Sequence, residues 1–97
     1  MNEQQYYNLV FIKHENSNIN YLFQAPMIIR LKAGEKVFAE TIQGESLGEC
    51  VTDSFIVGEH ETACIMTGTG AYYPLKDVIG FASKQEEYRC IDFSLPF

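Results

Sequence analysis

The residue types able to do covalent or metal chemistry are few in this 97-residue chain: three cysteines (Cys50, Cys64, Cys90) and two histidines (His14, His60). His60 and Cys64 stand four residues apart, so on a helix they would share a face, while His14 and Cys50 could meet only through the fold. Structural zinc sites gather several closely spaced ligands, and here there is one such pair. The plainer reading is a surface histidine in an acidic stretch and small buried thiols, so neither a metal nor a cofactor is expected.

Nucleophilic catalysis by cysteine needs a thiolate, made available by a cation, a histidine or a helix N-terminus. Cys50 and Cys64 lie in or beside an acidic segment, which raises a thiol pKa; Cys90 follows Arg89 but sits in an apolar-alternating stretch. All three read as packing residues. An odd cysteine count without a Cys-x-x-Cys pair points to reduced thiols in a cytoplasmic protein.

Glu59/Glu61 and Glu45/Glu49 are nominal acid–base pairs, yet general acid–base work needs two carboxylates held in a cleft with divergent environments. Spaced along a loop and a wet strand face, they read as solvated. Thr67-Gly68-Thr69-Gly70-Ala71 invites a phosphate-loop reading, but it lacks the longer glycine pattern and any following Gly-Lys-Ser/Thr, and reads as a β-turn. No catalytic residue is assigned, and the chain is not expected to be an enzyme.

Charge narrows the partners. Seven Lys and Arg against thirteen Asp and Glu give a net charge of -6. Six acids (Glu40, Glu45, Glu49, Asp53, Glu59, Glu61) fall between positions 40 and 61 with no Lys or Arg among them. Six Tyr and seven Phe could stack bases, but base-stacking barrels also need a basic groove, so direct nucleic-acid binding is not expected. The longest apolar runs, Leu9 to Ile12 and Ala63 to Met66, are far short of the roughly 20 residues a membrane helix requires. The N-terminus does not read as a signal peptide.

The elements that would position these residues follow a period of two. Tyr7, Leu9 and Phe11 alternate with Tyr6, Val10 and Ile12; both faces are apolar, as in a central strand. His14-Glu15-Asn16-Ser17-Asn18 is turn chemistry, and Ile19, Tyr21 and Phe23 alternate beyond it, so residues 5 to 24 form a hairpin. Ala25-Pro26 ends its second strand. Met27 to Leu31 is a short apolar stretch, Lys32-Ala33-Gly34-Glu35 a turn, and Lys36 to Ile42 a strand. Leu47 to Val57 is another strand, bent near Gly48. Glu59 to Met66 fits either a short helix after Gly58 or a strand over Thr62 to Thr67, with strand the preferred reading. Leu75-Lys76-Asp77 reads as a single turn, and Val78 to Ala82 and Glu87 to Phe93 as strands.

The segment LKAGEKVFAETIQGESLGECV (31–51) resembles the strand–turn–strand unit of small SH3-like barrels, in its turn glycines and its alternation. The resemblance implies an architecture and carries no functional residues. The expected fold is one mostly β domain over 1–97: a small SH3-like barrel or compact sandwich of about seven short strands, with at most one short helix.

The expected function is a non-enzymatic protein-interaction module that binds a protein partner or a second copy of itself through edge strands and an apolar C-terminus, with Phe93, Leu95 and Phe97 as contacts. The alternative is an acidic decoy whose carboxylates at 40–61 occupy a basic nucleic-acid-binding groove on a partner.

Overall fold

The computed structural model describes residues 5–15, 17–41, 44–70, 75–83 and 89–92. Strand β1 (Tyr6–His14) is the element around which the rest is built. Alternation turns Val10 and Ile12 to one face and Leu9 and Phe11 to the other, and Leu9, Val10 and Ile12 are fully buried. A strand apolar on both faces needs cover on both.

In the plane of the sheet, β2 (Asn20–Ala25) completes the expected antiparallel hairpin, with Val10 opposite Phe23 and Phe11 opposite Leu22. The other edge of β1 is shared by two strands in succession. β4 (Gly44–Cys50) takes its C-terminal end, with Ile12 opposite Cys50 and His14 opposite Gly48. β5 (Phe55–Gly58) takes its N-terminal end, with Tyr7 opposite Val57 and Leu9 opposite Phe55.

The single bent strand expected over Leu47 to Val57 is therefore two strands, and the interruption falls at 51–54 rather than at Gly48. The cause lies in local hydrogen bonding. Ser54 exchanges two bonds with Leu31 (Ser54 N to Leu31 O 2.8 Å, Leu31 N to Ser54 Oγ 2.9 Å). The Asp53 carboxylate accepts from Ala33 N at 2.9 Å, drawing the chain off the regular ladder.

β3 (Lys36–Thr41) pairs with β4, β6 (Val78–Ser83) with β3, and β7 (Arg89–Asp92) with β6, all antiparallel. The order is β2-β1-β4-β3-β6-β7, with β5 alongside β1. This is one seven-stranded sheet that is not closed into a barrel. Its curvature brings β2 to the start of β6, where Gln24 and Asp77 form one parallel bridge and Gln24 N donates to Lys76 O at 2.9 Å. Leu75 and Lys76 thus lead into a bridge rather than forming a turn of their own.

The preferred strand over Thr62 to Thr67 is corrected: Glu59–Thr69 is a helix, α1. Gly58 is extended at its N-cap, Glu59 and Glu61 occupy the positive first turn, and Thr62 Oγ1 donates to Gly58 O at 2.8 Å. Thr67 to Gly70 is accordingly the end of this helix and not a β-turn. Gly70 stops it in the left-handed region at φ 76°, which a side chain rarely adopts. An eleven-residue helix is marginal by itself in water, so packing must hold it. Thr62, Ile65 and Met66 supply the inward stripe, and Met66 joins Leu9 and Leu22 in one core cluster over the outer face of β1. The second cluster, on the opposite face of β1, gathers Val10, Ile12, Phe23, Val37 and Val78.

Candidate functional site

Asn8 sits on β1 among apolar neighbours, 1% exposed, on the face that carries Val10 and Ile12. Its side-chain amide donates to two carbonyls of the segment after β2: Pro26 O at 2.8 Å and Ile29 O at 2.6 Å. Within that segment Ile29 N donates to Pro26 O at 3.0 Å, and one nitrogen of Arg30 (Nη1) donates to Met27 O at 2.6 Å and Ile29 O at 3.2 Å. Every carbonyl named here accepts from a group fixed nearby, and Leu31 anchors the exit of the loop in the core. The loop is thus tied to β1 and cross-linked within itself by hydrogen bonds.

What this loop presents is apolar. Ile28 is 88% exposed and Met27 43% exposed at its tip. Tyr6 lies two positions from Asn8 on the same face of β1, 54% exposed, and Ile56 lies opposite Asn8 on β5, 41% exposed. Met27, Ile28, Tyr6 and Ile56 therefore all lie toward the end of the sheet where β1 begins, with Arg30 bonded within the loop itself. Exposed apolar residues scattered singly need no explanation; a cluster around a hydrogen-bonded loop does.

The expected contacts Phe93, Leu95 and Phe97 lie outside the described residues. Tyr72 and Tyr73 do too.

At the other end of the β1–β2 hairpin lies an open groove of about 650 Å³ whose lining includes both His14 and Cys50. The fold does bring this pair to one place. The His14 ring packs edge-on to Phe23 (centroids 5.4 Å) and tilted to Tyr21 (6.1 Å), and its Nδ1 is shielded with no hydrogen-bond partner among the described residues. Burial first, then the charges of Glu35, Glu49 and Asp53, push the Cys50 thiol up to about 12. At neutral pH that sulfur is a protonated thiol, the opposite of an activated nucleophile. The acidic surroundings read from the sequence act in the expected direction, with burial the larger cause.

A measurable contrast follows. A thiol alkylating reagent applied to the native protein should modify exposed Cys64 quickly and leave buried Cys50 unmodified until the protein is unfolded, as read by peptide mass spectrometry. Equal native rates at the two positions would contradict the structure. The same shift has a stability consequence. Above the ordinary thiol pKa the unfolded chain loses a proton that the folded state keeps until about 12, so Cys50 lowers stability as pH rises through that window.

The six acids of positions 40–61 are spread along the molecule. Glu49 pairs with Lys36 at 2.8 Å, and that hydrogen bond and charge lower its pKa. Asp53 is engaged with Ala33 N. Glu59 and Glu61 open α1, fourteen and sixteen positions beyond Glu45 and separated from it by β5 and the break at 51–54. Only Glu40 and Glu45 face each other directly, across β3 and β4. Asp77 stands beside them, with its carboxyl pKa raised by burial and by the Glu40 charge. This row was not visible in the sequence, where Asp77 lies 37 positions from Glu40.

Among the described residues, no group of three or more His, Cys, Asp or Glu is placed to hold a metal ion, and no helix is long and apolar enough to cross a membrane. The chain matches no protein-family model, no curated protein and no solved structure. Among the described residues, fold and surface together define a small antiparallel β protein with one covering helix and a hydrogen-bonded loop that exposes apolar side chains at one end of its sheet.

Proposed function

We propose that this chain is a non-enzymatic protein-interaction module whose first partner is a second copy of itself. The single observation that carries the reading is the Pro26–Arg30 loop, held by Asn8 and Arg30 so that Met27 and Ile28 project into solvent. Binding normally costs the ordering of contact residues; here that ordering is already made, so apolar contact converts to affinity with less loss. A two-fold axis would set the same apolar patch of each copy against the other, so the surface is complementary to itself. The curled sheet, bridged at Gln24 and Asp77, supports a kinship of architecture with small SH3-like interaction domains, with β5 as the edge element beside the patch.

The test is the solution mass of wild type and Ile28→Asp. A charge at this position removes an apolar contact worth about 1.5–3 kcal/mol, so association should weaken at least about tenfold. The side chain is exposed, so folding stability should stay within about 0.5 kcal/mol of wild type.

The Glu45–Glu40–Asp77 row supports a second reading, the acidic decoy for a basic groove. Salt separates the two: contacts made by carboxylates weaken steeply with ionic strength, and apolar contacts do not.

A further inference from the structure

We infer that His60 and Cys64 form half of a Zn²⁺ site that a second copy of this chain completes. Both are on α1 and both are exposed. At 3.6 residues per turn, positions four apart are about 40° apart around the axis, so the imidazole and the thiol project side by side. The stripe of Thr62, Ile65 and Met66 turns toward the sheet, which puts His60 and Cys64 on the side of the helix farthest from it. This pair is therefore a two-ligand clip with open space above it.

Zinc takes four ligands in a tetrahedron, and among the described residues no third His, Cys, Asp or Glu stands with this pair. Two clips related by a two-fold axis supply two imidazoles and two sulfurs, a Cys₂His₂ set. Each Cys64 thiol releases one proton to solvent as its sulfur binds, and the two thiolates neutralise the cation. Glu59 and Glu61 sit one turn or less from the clip, and the chain has no Lys or Arg between Glu40 and Lys76, so the local field attracts the cation.

The clip lies on the opposite side of β1 from the Met27–Ile28 loop, because α1 covers the Leu9 face and the loop is tied to the Asn8 face. The two associations are therefore independent and can be tested apart. The experiment is a Co²⁺ and Zn²⁺ titration of the full chain under reducing conditions, with mass by light scattering, on wild type, Ile28→Asp, His60→Ala and Cys64→Ser. Saturation is expected at one cation per two chains, with thiolate-to-cobalt absorption. Zn²⁺ should double the mass of Ile28→Asp, and a chelator should reverse it. A wild type that is monomeric without metal would count against the loop-mediated pairing, and Zn²⁺ should then double its mass too. His60→Ala and Cys64→Ser should each abolish the stoichiometric complex and the mass change. One cation per chain with no change in mass, or undiminished binding in either substitution, overturns the proposal.

Discussion

Replacing Asn8 by aspartate should destabilise the fold by about 3–5 kcal/mol at neutral pH, the usual cost of leaving a buried charge without a partner. The side chain is nearly inaccessible, and its amide nitrogen sits 2.8 and 2.6 Å from two carbonyl oxygens. A carboxylate there has no proton to donate and faces lone pairs at both positions. The deficit should depend on pH with a defined sign. Burial and the facing carbonyls raise the folded-state pKa of the new carboxyl above its unfolded value. The variant is therefore most stable below the ordinary aspartate pKa, where the protonated carboxyl can donate one bond, and loses stability as pH rises through the folded pKa. Asn8→Ala should cost less, about 1–3 kcal/mol, without that pH dependence. Urea unfolding at acidic and neutral pH checks both. An aspartate variant as stable as wild type at neutral pH would mean that Asn8 does not hold the loop.

Gly48 is the second sensitive position. A Cβ built on it would stand 2.6 Å from Ile12 Cγ2, 3.2 Å from the Lys13 carbonyl and 3.4 Å from His14 Nδ1. Ile12 is fully buried, and the carbonyl belongs to the strand that pairs with Gly48, so neither neighbour can move without opening the β1–β4 ladder. Gly48→Ala should cost about 1–3 kcal/mol and Gly48→Val more, seen as a lower urea midpoint. The clash is pairwise, so Ile12→Ala combined with Gly48→Ala should cost clearly less than the sum of the two single changes. Strict additivity would show that the close approach is not what excludes a side chain here.

The β framework was legible because its cues are local and repeated. Tyr6 to Ile12 alternates, His14 to Asn18 is turn chemistry, and Lys36 to Thr41 and Val78 to Ser83 are β-branched or aromatic runs between turn residues. Helix α1 was not legible, for a physical reason. Its inward stripe contains a threonine, and the contiguous run Ala63 to Met66 carries no period, so helix and strand patterns fit equally until the Leu9 face of β1 asks for cover. The break at 51–54 was hidden because it is made by hydrogen bonds to Leu31 and Ala33, which are distant in sequence.

The loop was legible only as a strand end and a short apolar stretch. What makes it a surface is Asn8, which in the sequence is one polar residue in an otherwise apolar strand. Burial of that residue against two carbonyls eighteen and twenty-one positions away is a property of the fold alone.

The most direct measurement is therefore solution mass by light scattering, in the presence of a metal chelator, at low and at high salt, on wild type and Ile28→Asp. A hydrogen-bonded apolar loop that pairs with its copy predicts a wild-type dimer insensitive to salt and a folded, monomeric Ile28→Asp. Wild type that is monomeric at both salts, a dimer that high salt dissolves, or an Ile28→Asp that associates as wild type does would each contradict it.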